Sequence, residues 1–154
     1  MPEINQFFRF DVQKVTDVSV KRFIERANQE DIREKERHYA IADEQDEYLG
    51  TVSLKNIDYC VRSAEFAIAL RKTSCGQGIG GKATREILRI AFDELELKRV
   101  YLNTLSDNLR AIKMYEKNGF IFEGKFRNHI KIHGMIKSLS WYAILEEEYR
   151  KILL

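Results

Sequence analysis

Proline occurs once in this chain, at Pro2, so no Pro-rich linker divides the sequence. Cysteine occurs twice, at Cys60 and Cys75, too sparsely for a disulfide framework, and a reducing cytoplasm is the expected compartment. Neither sign of charge dominates. Twenty-six basic against 24 acidic residues leave a net charge of +2, so bulk attraction to nucleic acid or to an anionic membrane is not expected. No apolar run approaches membrane-spanning length, and MPEINQFFRF lacks the basic-then-apolar pattern of a leader. There is no repeat or low-complexity tract. What remains is 154 residues, 44% hydrophobic and 32% charged, which reads as one globular domain over 1–154.

Glycine is scarce too, with eight in all, yet four of them crowd into CGQGIGGKA as Gly76, Gly78, Gly80 and Gly81. The stretch matches a dinucleotide fingerprint as Gly76-x-Gly78-x-x-Gly81 and nearly matches a triphosphate loop as Gly76-x4-Gly81-Lys82. It also suits the pyrophosphate of coenzyme A. In each case glycines let backbone N–H groups approach an anion while the helix N-terminus adds its dipole.

The order of elements decides among these readings. DVSVKRFIERANQ places Val18, Phe23, Ile24 and Ala27 on one helical face over 17–29, behind a possible Asp17 cap. A strand over 37–42 leads through the acidic turn Asp43–Glu47 into a return strand carrying Leu49, Val52 and Leu54. A second turn is expected near Asn56–Asp58, followed by RSAEFAIAL, in which Phe66, Ile68 and Leu70 alternate with Glu65, Ala67 and Ala69. Short connections make these strands antiparallel. The glycine loop then opens a helix over 79–96 with a stripe of Ile79, Ala83, Ile87, Ile90, Ala91 and Leu95. KRVYLNTL is a strand. SDNLRAIKMYEKNG is a helix capped by Ser106 or Asp107 and stopped at Asn118-Gly119. FIFEGKFR and KSLSWYAIL close the chain as strands, with their turn within His129–Gly134.

A dinucleotide fold puts its fingerprint after the first strand of repeated βαβ units, whereas here an antiparallel meander comes first. A triphosphate loop needs Ser or Thr after its lysine, and Ala83 stands there, with Thr84 turned about 100° around the helix. A glycine turn with no ligand is the bland alternative. The coenzyme A reading has independent support, because Asn108, Ala111 and Tyr115 share one face of the next helix. The stretch from about Tyr48 to Tyr149 resembles the GNAT superfamily of N-acetyltransferases, especially its ribosomal-protein, spermidine and amino-sugar branches. The resemblance rests on AEFAIAL, GQGIGG opening a helix, NLRAIKMYEKNGF and EGKFRNHIKIHG, in that order and spacing.

That resemblance implies an α+β sandwich: a mixed, mostly antiparallel sheet with flanking helices and one parallel pair, Phe66–Leu70 beside Val100–Leu105, splayed to admit acetyl-CoA. Its coenzyme-contacting residues would be Ile68, Ala69 and Leu70 on the first strand and Asn103 on the second. The loop would contribute Cys75, Gly76, Gln77, Gly78, Ile79, Gly80, Gly81 and Lys82, and the following helix Asn108, Ala111 and Tyr115. Cys75 stands where relatives carry Arg or Gln. A backbone N–H of the first strand would bind the thioester oxygen. Asn108 would bond the pantetheine arm, with helix capping as its ordinary alternative. Tyr115 would be the general acid, with core packing as the alternative. Glu65, beside Ala67 and Ala69, is the base candidate, and its alternative is a structurally paired strand glutamate. No metal is implied, and His38, His129 and His133 read as solvated turn histidines.

The implied reaction transfers acetyl directly to a primary amine. An amino sugar stands first as acceptor and a polyamine or protein N-terminus behind it, while a non-catalytic acyl-CoA-binding module is the alternative of another class. No nucleic acid or membrane partner is expected. Relatives carry a further strand and helix before a segment like PEINQFF. Their apparent lack here would expose a sheet edge that a homodimer could cover.

Overall fold

The computed structural model describes residues 35–76 and 78–153. The helix expected over 17–29, the segment PEINQFF and Gln77 lie outside them. Among the described residues, six strands and three α-helices follow in the order β1 (Arg37–Ala42), β2 (Tyr48–Asp58), β3 (Ser63–Leu70), α1 (Ile79–Arg89), β4 (Arg99–Leu105), α2 (Leu109–Lys117), β5 (Ile121–Ile132), β6 (Met135–Leu145) and α3 (Glu146–Ile152). They form one sheet in the order β1-β2-β3-β4-β6-β5, in which only β3 and β4 run parallel. This is the mixed, mostly antiparallel α+β architecture that the resemblance implies.

Period-two alternation gives the sheet two chemically different faces. On one, Val52, Leu54, Phe66, Val100, Leu102, Tyr142 and Ile144 are buried in a single core with Ile87 and Leu88 of α1, Tyr115 of α2 and Tyr149 of α3. On the other lie Ser53, Glu65, Ala67, Ala69, Tyr101, Asn103 and Trp141, paired side by side across the strands. We call these the helix face and the open face.

Several boundaries differ from the sequence reading. The turn expected at Asn56–Asp58 is a bulge: Asn56 takes φ 49°, pairing resumes at Asp58↔Ser63, and the reversal falls beyond Asp58. The helix expected over 79–96 is α-helical to Arg89 and continues as a π-turn through Ile90–Glu94, which buries Ile90, Ala91 and Phe92 together. β5 continues past Arg127 to Ile132, so His129 sits in a strand and the turn narrows to His133-Gly134. α3 had no counterpart in the sequence reading.

Close packing of β2 on β3 depends on Gly50, which stands opposite Leu70. A Cβ there would come within 2.3 Å of the Ala69 carbonyl oxygen and 3.0 Å of Leu70 Cα, both backbone atoms that cannot swing aside. Gly50→Ala should therefore destabilise the protein by about 1–3 kcal/mol, the range for overpacking. The check is a lower denaturant midpoint at unchanged slope.

Candidate active site

β3 and β4 pair only at Ser63↔Arg99, Ala64↔Val100 and Glu65↔Tyr101. Beyond that point each follows its other neighbour: β3 stays bonded to β2 as far as Leu70, and β4 to β6 as far as Leu105. The two strands thus open into a V with Glu65 and Tyr101 at its apex. The divergence falls where expected, along Ala67–Leu70 and Asn103–Leu105. Backbone polar groups that β3 turns toward β4 in this stretch have no ladder partner there, which suits a ligand supplying one.

The glycine loop lies at the wide end, after β3 and a 3₁₀ turn over Lys72–Ser74. Gly76 and Gly78 adopt φ 82° and 74°, left-handed conformations open to glycine. Gly78 is the N-cap of α1, and no side chain caps that end. First-turn N–H groups and a helix dipole therefore remain for an anion. Lys82 is exposed one turn in. A second cation, absent from the sequence reading, stands beside the loop: a Cβ on Gly76 would lie 3.0 Å from Nη2 of Arg110, in the first turn of α2. No spacing rule announces this neighbour, because only folding brings α2 to the loop. Donors and two cations fit a pyrophosphate. The nucleotide alternative weakens, since the buried Thr84 hydroxyl bonds the Gly80 carbonyl (2.7 Å) and Met114 Sδ (3.4 Å) and is spent tying α1 to α2. Cys75 is half-buried, and its thiol points to the Arg71 carbonyl at 3.4 Å.

The cap of α2 is Asn108, not Ser106 or Asp107. Those two are engaged elsewhere: Ser106 Oγ bonds Ser140 Oγ at 2.7 Å, and Asp107 pairs with Lys137 at 2.5 Å. Asn108 Oδ1 accepts from the Ala111 N–H at 3.3 Å, so capping is its observed role, and its Nδ2 bonds no described residue. Ala111 is half-buried one turn before Tyr115. Tyr115 is 7% exposed, its ring meeting Phe66 and Phe120 edge-on with centroids 5.9 Å from each. Its hydroxyl hydrogen bonds no described residue, and burial pushes the phenol up to about 12.

On the open face Glu65 accepts from Asn103 Nδ2 at 3.0 Å and from Asn56 Nδ2 at 2.8 Å. Burial raises the Tyr101 phenol above its ordinary value, and the nearby Glu65 charge adds to the effect. Asn103 stands opposite Trp141, and both Asn103 Oδ1 and Trp141 Nε1 are buried without a partner. An orphaned acceptor and donor beside a carboxylate are what a polar ligand would satisfy. His38 is not a turn histidine. It lies in β1, with Nδ1 2.7 Å from Ser53 Oγ and Nε2 2.9 Å from Glu36 Oε2. His129 is exposed on β5 against Phe126, with ring centroids 5.1 Å apart. Among the described residues no cluster of His, Cys, Asp or Glu could hold a metal ion, and no helix is long and apolar enough to cross a membrane.

Comparison with known proteins agrees with this geometry. The family described as acetyltransferase (GNAT) domain matches residues 1–121. A putative ribosomal N-acetyltransferase of Bacillus subtilis is 36% identical over 100 residues, covering 65% of this chain and 55% of its own length. The spermidine N(1)-acetyltransferase of Vibrio cholerae is 32% identical over 114 residues, covering 74% of this chain and 66% of its own length. The match thus spans less than two thirds of each relative. A crystal structure of the Vibrio cholerae spermidine N-acetyltransferase with CoA and spermine superposes with a TM-score of 0.86 at 25% identity, covering 96% of this chain and 85% of the other. With a splayed parallel pair, a glycine loop opening α1 and a family match over most of its length, the chain belongs to the GNAT acetyltransferase family.

Proposed function

We propose that this chain transfers an acetyl group from acetyl-CoA to the primary amine of a small molecule, by direct attack within a ternary complex. The observation that carries the reading is the V between β3 and β4, with the anion-ready loop at its mouth and two proton-handling groups, Glu65 and Tyr115, on opposite faces of β3. The relatives' acetyltransferase names, and spermine in the Vibrio cholerae crystal structure, support it.

N–H groups at the start of α1, with Lys82 and Arg110, hold the pyrophosphate, and the pantetheine arm enters the V past Asn108 and Ala111. The helix face at the apex is filled by Phe66, Tyr115 and Phe120, so the acceptor arrives from the open face. There two amides fix Glu65 with both oxygens as acceptors, and it takes the proton of the acceptor ammonium, directly or through one water. The amine nitrogen attacks the thioester carbonyl carbon. As the C–N bond forms, a β3 backbone N–H stabilises the carbonyl oxygen, and the C–S bond then breaks. The thiolate leaves toward the helix face and is protonated by Tyr115. Base and acid lie on the sides from which nucleophile and leaving group approach and depart.

The test is release of CoA from acetyl-CoA with amino sugars, spermidine and N-terminal peptides. Turnover with a small amine is expected. Glu65→Gln should keep acetyl-CoA affinity and lose about 10²-fold or more in kcat, the usual worth of a general base. Tight acetyl-CoA binding with no turnover on any amine would leave a coenzyme-binding module instead.

A further inference from the structure

Acetyl transfer to an ammonium removes two protons from one nitrogen, and Glu65 takes only the first. Once the C–N bond has formed, the nitrogen carries a further hydrogen that must leave before the amide is complete. Tyr115 cannot receive it, because it is the donor to the departing thiolate. The open face holds a second set of polar groups placed to do so.

His38 of β1, Ser53 of β2 and Ala67 of β3 stand opposite one another in a single row across that face. Ala67 lies past Glu65↔Tyr101, the last pair between β3 and β4, so the row runs to the V. His38 Nδ1 is 2.7 Å from Ser53 Oγ, and its Nε2 is 2.9 Å from Glu36 Oε2. Glu36 sets the direction of both bonds. A carboxylate only accepts, so in the neutral imidazole Nε2 carries the hydrogen that Glu36 receives. Nδ1 is then an acceptor, and the Ser53 hydroxyl donates to it. Its one hydrogen committed to His38, the Ser53 oxygen offers lone pairs to an N–H donor. Ser53 and Glu65 are diagonal neighbours, about 7–8 Å apart at the backbone and less between side-chain tips, a span that one amine nitrogen over Ala67 can bridge. Ser53 is 6% exposed, and the side chains of His38 and Glu36 are 14% and 20% exposed. Burying three polar groups together carries a desolvation penalty that an apolar contact between β1 and β2 would avoid.

We propose that Ser53 takes the second proton of the acceptor nitrogen and that His38, oriented by Glu36, carries it to solvent. This rests on the acetyl-transfer reading and adds a catalytic residue, Ser53, with two positioning residues behind it. Glu65 deprotonates the ammonium, the amine attacks, and the new C–N bond leaves a cationic nitrogen with two hydrogens. One passes to Ser53 Oγ, directly or through one water, as the Ser53 proton moves to His38 Nδ1. The Glu36 carboxylate holds the imidazolium until it gives a proton to water. Glu65 also discharges to water, and Tyr115 recovers from water the proton it gave to sulfur. One proton is released per turnover.

The experiment measures CoA release with D-glucosamine and with spermidine for the parent, Ser53→Ala and His38→Ala. Both variants should lose about 10²-fold in kcat, the lower end of a general base's worth, and keep their acetyl-CoA affinity. Added imidazole should restore turnover of His38→Ala in proportion to its concentration. Pyrazole, which has the same shape and is far less basic, should not. Parental turnover in Ser53→Ala overturns the relay and leaves acetyl transfer standing, as does rescue of His38→Ala by both azoles alike or by neither. No CoA release by the parent with either amine removes the acetyl-transfer reading for these acceptors and the relay with it. Imidazole 15N shifts need no turnover. The Nε2–H tautomer is expected at His38, and an Nδ1–H tautomer overturns the relay, because that nitrogen would have no lone pair for the Ser53 proton.

Discussion

Gly78→Val should abolish measurable acetyl-CoA binding while leaving the fold intact. No protein atom lies within 4 Å of where a Cβ would sit on Gly78, so the valine side chain has room. The obstacle is the backbone, since φ is 74° and a β-branched residue there is strained by about 1–3 kcal/mol. The loop relieves that strain by turning its peptide planes, which takes first-turn N–H groups off the pyrophosphate. Hydrogen bonds to a charged group are worth about 1.5–3 kcal/mol each. Losing two costs about 3–6 kcal/mol, or roughly 10²–10⁴ in affinity. Gly124→Ala is the control, because Gly124 has open space and no left-handed φ. Calorimetry should show acetyl-CoA heat for parent and Gly124→Ala and none for Gly78→Val. A Gly78→Val protein that binds like the parent would remove the loop as the pyrophosphate site.

The parts of this site legible in the sequence are those set by local periodicity. Alternation in SAEFAIAL fixes which side chains of β3 share a face, and the glycine cluster before an apolar helical stripe fixes where α1 begins. Tertiary contacts decide the rest. Ser106, Asp107 and Asn108 are all good N-caps, and only the pull of Ser140 and Lys137 on the first two leaves Asn108 to cap. Asn56–Asp58 has turn composition, yet Asn56 can take a positive φ and continue the strand as a bulge, while its amide braces Glu65. α3 is hard to see in EEEYRKI because it is short and mostly polar. It is secured from outside itself, by Tyr149 against Phe92 and by an ion pair between Arg150 and Asp93. Arg110 reaches the glycine loop through the packing of α2, which no one-dimensional pattern encodes.

Tyr115→Phe should lose about 10²–10⁴-fold in kcat with little change in acetyl-CoA affinity, the signature of a general acid removed. Its burial bears on the chemistry in two ways. A phenol pushed up to about 12 is fully protonated at any working pH, so the donor is always loaded. Against a thiol in water near 8.5, however, the transfer would be uphill by about 3.5 units, close to 5 kcal/mol. The step is feasible because the departing thiolate is itself withdrawn from water in the V, and burial raises its basicity as well. Stability separates this role from simple packing. The Tyr115 hydroxyl has no hydrogen bond to lose among the described residues, so the variant should match the parent's melting temperature near neutral pH. The sign of the pH effect follows from the upward shift. Folding holds the phenolic proton more tightly than the unfolded chain does, so this stabilisation is complete below pH 10 and is lost as pH rises from about 10 to about 12. Two units amount to about 3 kcal/mol. Phenylalanine has no proton to release, so Tyr115→Phe should resist alkaline unfolding better than the parent across that window. If the variant resists alkali but turns over the acceptor at the parental rate, Tyr115 is a core residue. The thiolate must then draw its proton from water at the mouth of the V.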